Sequence, residues 1–341
     1  MSDRKLRVGV AGATGALGRQ ILRALEDADL PLEAVVPMAS AACTVQVLEV
    51  LGHQVRVENL LPETVRTCDL LYVAVPRKAA AAAIRTAREA GVPVIDASGV
   101  LGPAQGVPLA APALGRESLC AIREQLALAA PRPDALAVAT LLAPLRGRVQ
   151  ALSCRGLVLH SASSRGRAGV EEFSSQVVSL FNSRSAPRKV FPLGLAFDVE
   201  PAIGEPAEDG WTPDERRLAA EAEALAGLPQ GSVALGSLVG PWFNGLCLAL
   251  QIRTRPVLEP EAASALLDGT WGLQLDRKGR LRDLPRPRAA DGSGALRVGR
   301  LRADPAGDGL HLWAAGDEVG FAAAHAAATL AALVEDGLLD R

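Results

Sequence analysis

Cysteine is sparse in this sequence and never clustered. Cys43, Cys68, Cys120, Cys154 and Cys247 are widely scattered, with no CxxC pair and no histidine at metal-ligand spacing. That pattern excludes a zinc-ribbon type of site and a disulfide framework, and it fits a reducing cytoplasm. Blocks of basic charge are missing as well. Lys and Arg total 36 against 38 Asp and Glu, a formal net charge of -2, and no cationic run is long enough to make the stripe a phosphate backbone requires. Nucleic acid is therefore not an expected partner. The opening MSDRKLRVGVAGATG lacks the long apolar region and cleavage site of a secretory signal, and reads as charge followed by a first strand. No repeat of fixed period or low-complexity linker is present.

One uncharged run has the length of a bilayer span, Gly231 to Ile252, and it contains Pro241, Asn244, Gly236, Gly240 and Gly245. Those breakers disfavour a lipid-facing helix. Two buried strands, SVALGSLV and LCLALQI, around a PWFNG turn account for the same composition, so no membrane partner is expected.

What is present suits a soluble two-domain chain: 341 residues, 49% hydrophobic and 22% charged. Up to about residue 100, short apolar runs (LRVGVAG, LEAVV, DLLYVAV, PVIDAS) alternate with helical stretches at Ala16 to Ala28 and Ala79 to Ala90. Such alternation predicts an α/β domain, a Rossmann-type doubly wound parallel sheet, here assigned to residues 1–128 and completed by an alanine-rich C-terminal helix at 320–341. Residues 129–319 read as an α+β domain with a mainly antiparallel sheet. Its expected elements are a helix at Ala135 to Leu145, a strand from Gln150 to about Ser163, and a helix opened by the capping-box spacing of Thr212 and Glu215 with Pro213 at its first position. Short strands and polar turns are expected from Leu266 to Arg300.

GATGALG follows the first strand directly and opens the first helix. Gly12 permits the tight turn, Gly15 lets backbone N–H groups approach a pyrophosphate, and Gly18 lets the helix lie close on the sheet. Gly12, Ala13, Thr14, Gly15, Ala16 and Leu17 are accordingly the candidate cofactor-binding residues for a small-molecule nucleotide. The second strand, LEAVVPMASAACTV, carries no acid or base at its end beyond Glu33 at its start, so NAD and NADP are not distinguished by it.

Seven stretches in chain order, GATGALG, PVIDAS, SSRGRAGVEEF, FPLGLAFDVEPAIGE, DGWTPDE, PWFNG and LHLWAAGDEVGFAAAHAAATLAAL, resemble landmarks of the aspartate-semialdehyde dehydrogenase family. The resemblance implies a Rossmann-type domain joined by the C-terminal helix, a middle domain for substrate and dimerisation, NADP as cofactor, and a homodimer. It also implies a thiol that attacks an aldehyde, hydride transfer from the hemithioacetal to NADP, phosphate attack on the thioester, and a histidine that handles protons.

Those reactive groups are missing where the resemblance assigns them. The thiol's position falls at Pro133 in AAPRPDAL and the histidine's at Leu246 after PWFNG; the substrate-binding arginines fall at Val239 and Gly102. No catalytic residue is therefore assigned, and the chain reads as a divergent paralogue of the Usg type without the catalytic cysteine and histidine. A glutamine position before SSRGRAGVEEF is occupied by His160, which either serves as a base in another reaction or packs locally. Arg165 and Arg167 read as lying in a turn beside it, where they either attract an anion or stay solvated. Cys120 is more than ten residues from the thiol's place, and Cys247, next to Leu246, would face the other side of a strand. His53 is expected in a turn, His311 on an edge-like strand, and His325 on the terminal helix. Asp317 resembles a family position near the cofactor, with Gly320 and Phe321 where cations are expected. Three readings follow: a catalytically silent nucleotide-binding homodimer, an NAD(P)-dependent oxidoreductase acting on an aldehyde or acyl phosphate by a changed mechanism, and a regulatory partner of a true dehydrogenase.

Overall fold

The computed structural model describes residues 4–40 and 46–340, so Cys43 and the end of the LEAVVPMASAACTV segment lie outside the described residues. The chain forms two compact units, 1–132 with 322–341, and 133–321.

In the first unit, β1 (Leu6–Ala11), α1 (Ala16–Asp27), β2 (Leu32–Ala39), β3 (Val47–Val50), β4 (His53–Arg56) and β5 (Glu58–Asn59) come first. They are followed by α2 (Pro62–Val65), β6 (Leu70–Val73), α3 (Arg77–Glu89), β7 (Val94–Asp96), α4 (Ala121–Gln125) and β8 (Ala127–Ala129). Six strands make a parallel sheet in the order β5-β2-β1-β6-β7-β8, the doubly wound order expected for a dinucleotide fold. The strands are apolar on both faces because both faces are covered. Val8, Val10, Leu70 and Tyr72 pack with Ile21, Leu22 and Leu25 of α1, whereas Ala11, Leu71 and Val73 pack with Ala80, Ala83, Ile84 and Ala87 of α3. The β3–β4 hairpin carries His53, exposed at the start of a strand rather than in a turn.

The second unit contains α5 (Pro133–Arg146), β9 (Ala151–His160), α6 (Gly166–Phe181), α7 (Pro213–Ala226), β10 (Val233–Val239) and β11 (Leu246–Arg255). It continues with α8 (Pro260–Leu267), β12 (Leu273–Leu275), α9 (Pro287–Ala290), β13 (Leu296–Ala303) and β14 (Gly309–Gly316). Its sheet runs β10-β9-β11-β14-β13-β12, with β10 and β12 parallel to their neighbours and the remaining pairs antiparallel. The strands on either side of PWFNG are thus separated by β9 and do not form a hairpin. His311 lies on β14, an interior strand, which corrects the edge-like placement. Helices α5, α7 and α8 pack on this sheet. Arg167, expected in a turn, lies in the sixteen-residue helix α6: Glu172 and Gln176 on α6 accept backbone N–H groups from Lys189, Val190, Phe191, Leu195 and Ala196. Those tertiary acceptors explain why two polar residues sit on the helix's buried side.

β10 is an edge strand, and edges with free N–H groups invite pairing with other chains. Here α7 closes it. Glu215 completes the capping box with Thr212 through one oxygen and accepts the Ser237 N–H at 2.9 Å through the other, while Glu223 accepts the Val233 N–H at 2.8 Å.

The last helix, α10 (Glu318–Glu335), is long and apolar enough in composition to cross a bilayer. In this fold Ala323, Ala326, Ala327, Leu330 and Leu333 belong instead to the first unit's core, and the Tyr72 hydroxyl donates to the Ala326 carbonyl at 2.6 Å. His325 is buried in the same layer. Burial pushes its pKa down to about 4, against a contact with the Ala110 carbonyl that favours the proton.

Two outcomes are expected. An unfolded histidine takes up its proton near 6.5, so stability held above that pH falls as the pH drops from about 6.5 towards 4; denaturant titrations at several pH values should show this slope in the native protein and lose it in His325→Leu. Glu215→Ala removes a cap and strands a buried N–H, and urea unfolding should register a loss of about 2–4 kcal/mol, with Glu215→Gln losing less.

Candidate functional site

In the first unit the chain leaves β1 and turns at Gly12, whose φ of 89° lies in the left-handed region. A Cβ there would run into the Ala74 carbonyl, just beyond β6, and a Cβ on Gly18 would run into the carbonyl of Gly12. Helix α1 therefore lies against the turn as closely as backbone permits. Gly15 is exposed, donates its N–H to Gly12 at 2.9 Å and precedes α1 with no side-chain cap. The N–H groups of Ala16 and Leu17 begin the helix without such a cap, and together with the helix dipole they favour an anion. Ala13 is buried under the turn. The Thr14 carbonyl accepts from Arg19 Nε at 3.1 Å, and the same guanidinium reaches Gln46 at 3.2 Å, so a cation stands one turn into the helix beside the loop. Strand order reverses between β1 and β6, where ligands of open α/β sheets bind. At the end of β7, Asp96 accepts from the Ser98 N–H (2.8 Å), the Ser98 hydroxyl (2.6 Å) and the Leu101 N–H (2.7 Å), which ties down the PVIDAS loop. Gly102 opens a short 3-10 turn and has no side chain to reach a ligand. Cys120 ends another such turn in this unit and is exposed.

The second unit gathers a different set. Pro133 is the first residue of α5, a position that suits proline because its missing N–H would be unsatisfied anyway. Next to it, Asp134 is buried, with Oδ2 3.6 Å from Nε2 of the buried His160 at the end of β9. In the β9–β11 register Cys247 stands opposite Leu159 and Leu248 opposite Val158. Alternation then puts His160 and Leu246 on one face and Cys247 on the other. Burial pushes the thiols of Cys154 and Cys247 up to about 12 in each case, which leaves almost no thiolate at neutral pH. Val239 is part of an apolar cluster with Phe173, Phe191 and Leu195.

A run of hydroxyls continues from His160. Ser161 Oγ is 2.8 Å from Ser163 Oγ, and the Ser163 hydroxyl donates to Glu318 in the first turn of α10. Burial holds the Glu318 carboxyl above its usual range, opposed by the hydroxyl it accepts from Ser163. The PWFNG turn is stitched to this segment: Ala162 and Ser163 donate to the Trp242 and Phe243 carbonyls at 2.9 Å each, and Gly240 donates to the His160 carbonyl at 2.8 Å. Asp317 caps α10 by accepting from Val319 at 3.0 Å and from Gly292 at 2.9 Å, a structural use of that acid. Arg165 lies 3.8 Å from Glu200, and Arg167, in α6 rather than in a turn, pairs with Glu171 on the exposed surface.

The arrangement sets an imidazole near a carboxylate, 3.6 Å apart, and a hydroxyl chain that ends on a second carboxylate, but it brings no thiol to them. Among the described residues no group of three His, Cys, Asp or Glu side chains is placed to hold a metal ion. Asp134, Ser161, Ser163 and Glu318 were missed from sequence. Each adjoins a residue or motif that was singled out, yet no spacing rule links positions 134, 160 and 318.

The sequence matches the semialdehyde dehydrogenase NAD-binding domain over residues 7–122 and the semialdehyde dehydrogenase dimerisation domain over residues 142–320. It is similar to a USG-1 protein homolog of Pseudomonas aeruginosa, with 30% identity over 322 residues, 93% of this chain and 94% of that one. Aspartate semialdehyde dehydrogenase II of Vibrio cholerae, solved in complex with ASA, superposes with a TM-score of 0.89 at 26% identity, covering 98% of this chain and 99% of the other. The Candida albicans aspartate semialdehyde dehydrogenase solved with NADP shares the fold at a TM-score of 0.73 and 16% identity, covering 98% of this chain and all of that one. With both domains matched in order and the relatives spanned nearly end to end, the chain belongs to the aspartate-semialdehyde dehydrogenase family.

Proposed function

We propose that this chain is an NADP-binding homodimer that retains the family scaffold without its thiol-based dehydrogenase activity. The observation that carries the reading is the occupancy of the two reactive positions: Pro133 and Leu246 stand where the resemblance puts the nucleophile and the base. The two cysteines of the second unit cannot substitute, because both are buried with raised pKa values and Cys247 faces away from His160. Loss of a coupled nucleophile and base costs on the order of 10⁶-fold in turnover.

Nucleotide binding is supported by the uncapped start of α1 and the glycine-lined approach at Gly12, Ala13, Thr14, Gly15, Ala16 and Leu17, which fit a pyrophosphate. Bound there, the cofactor would supply hydride chemistry; the chain's own contribution is the backbone N–H groups that hold its phosphates. Dimer formation is supported by the sheet face that Leu157, Ala249 and Trp313 share by register, on which Leu157 is 44% exposed in the single chain. A broad sheet face with exposed apolar residues needs a cover.

A second reading, an oxidoreductase of changed mechanism, draws on the His160–Asp134 pair, since a carboxylate beside an imidazole supports acid–base work. In that case His160→Gln removes turnover of an aldehyde while leaving NADP affinity intact.

Purified protein mixed with NADP, aspartate semialdehyde and phosphate should show no thiol-dependent rise in reduced cofactor; a rise abolished by a thiol-blocking reagent refutes the silent reading. Calorimetry should detect NADP binding, and Gly15→Asp, which places a negative charge at the helix start, should weaken it by at least about tenfold. Light scattering should give the mass of a dimer for the native chain and a shift towards monomer for Leu157→Lys.

A further inference from the structure

A cavity in the 133–321 unit lies apart from the His160 cluster in sequence and in its lining residues. About 530 Å³ in volume, it is walled by α8, β12 and β13, with Leu275, Val298 and Leu301 as apolar lining and two acids, Glu261 and Asp276, and two cations, Arg277 and Arg300, as charged lining. The volume falls within the roughly 300–1,000 Å³ range of small-molecule sites.

Asp276 follows β12 directly. Its N–H donates to the Val298 carbonyl at 2.7 Å and its Oδ1 accepts the backbone N–H of Lys278 at 3.0 Å, but Oδ2 is buried with no hydrogen-bond partner among the described residues. A buried carboxylate oxygen left in that state is destabilising, and folded proteins rarely keep one without a use. Arg300 stands on the neighbouring strand β13 at φ 51°, a left-handed conformation that is unfavourable for arginine, where the β13–β14 pairing slips between Gly299 and Arg302. Bulges of this kind re-aim side chains beside binding sites. Its carbonyl accepts from Arg302, while its guanidinium has no acidic partner among the described residues and does not pair with Asp276. The other cation of the wall, Arg277, is engaged by Asp268 at 2.6 Å.

Charge selects the ligand. A simple anion would meet the Asp276 carboxylate, and a metal ion would meet the arginines, so either is opposed by half of the lining. A molecule that carries an ammonium and a carboxylate satisfies both. We propose that this cavity binds a free α-amino acid with an aliphatic side chain, its ammonium on Asp276, its carboxylate on Arg300 and its side chain against Leu275, Val298 and Leu301. The site is independent of nucleotide binding and of whether the family activity survives.

Calorimetry on the full chain with L-leucine, L-valine and L-methionine as probes, alongside isoamylamine and isocaproate as the two half-molecules, tests the assignment. One or more of the amino acids should bind one to one, with each half-molecule at least about tenfold weaker. Asp276→Asn and Arg300→Gly should each weaken binding by at least about tenfold, yet leave the thermal midpoint of the ligand-free protein unchanged or raised, because the first removes an unsatisfied buried charge and the second relieves the backbone. Absence of heat for all three amino acids up to about 10 mM, equal binding of a half-molecule, or unaltered binding in the two variants would overturn the proposal. A fall in the midpoint of ligand-free Asp276→Asn with amino-acid affinity kept would also overturn it, by assigning the carboxylate a structural role.

Discussion

Strand β9 is held on both edges, parallel to β10 along seven residue pairs and antiparallel to β11 along nine. The faces on which His160 and its neighbours across the sheet stand follow from that double pairing. Because side chains alternate along a strand, one register decides that His160 and Leu246 share a face while Cys247 takes the other. A slip of one residue would exchange the imidazole for Leu159 and bring the thiol round. The apolar burial of Val158, Leu248 and Cys154 on the alternating pattern makes such a slip costly, since it would put the helix-covered set on the other face.

Once β9 is fixed, the polar groups at its end have few options. His160 finds Asp134 at the start of α5, and the hydroxyls of Ser161 and Ser163 run to Glu318. Buried polar groups must find partners or raise the energy of the fold; here the two hydroxyls and one Glu318 oxygen are linked, and the PWFNG backbone holds the segment that carries them. Burial raises both thiols of the second unit to about 12, at Cys154 in spite of the neighbouring Arg155 guanidinium, which favours the thiolate.

In the first unit the governing constraint is backbone against backbone. Gly12 and Gly18 leave no room for a Cβ, and that closeness aims the start of α1 at the crevice where the strand order reverses. The same economy of small residues lets α10, alanine-rich and lacking a polar stripe, pack over Val8, Val10 and Tyr72 with its His325 held neutral inside.

Local pattern alone determined much of this protein. Alternating strand and helix runs specified the doubly wound unit, the glycine spacing specified the turn before α1, and Thr212 with Glu215 specified the start of α7, because each of those features is decided by neighbours within a few residues. Longer-range matters were decided by tertiary structure. The separation of β10 from β11 by β9, the helix at Gly166–Phe181 whose Glu172 and Gln176 accept from backbone N–H groups beyond the helix, the interior place of His311, and the meeting of Asp134, His160, Ser163 and Glu318 all depend on contacts between residues distant in sequence. No periodicity encodes such contacts; they exist only once strands have chosen partners and packing has brought distant polar groups together.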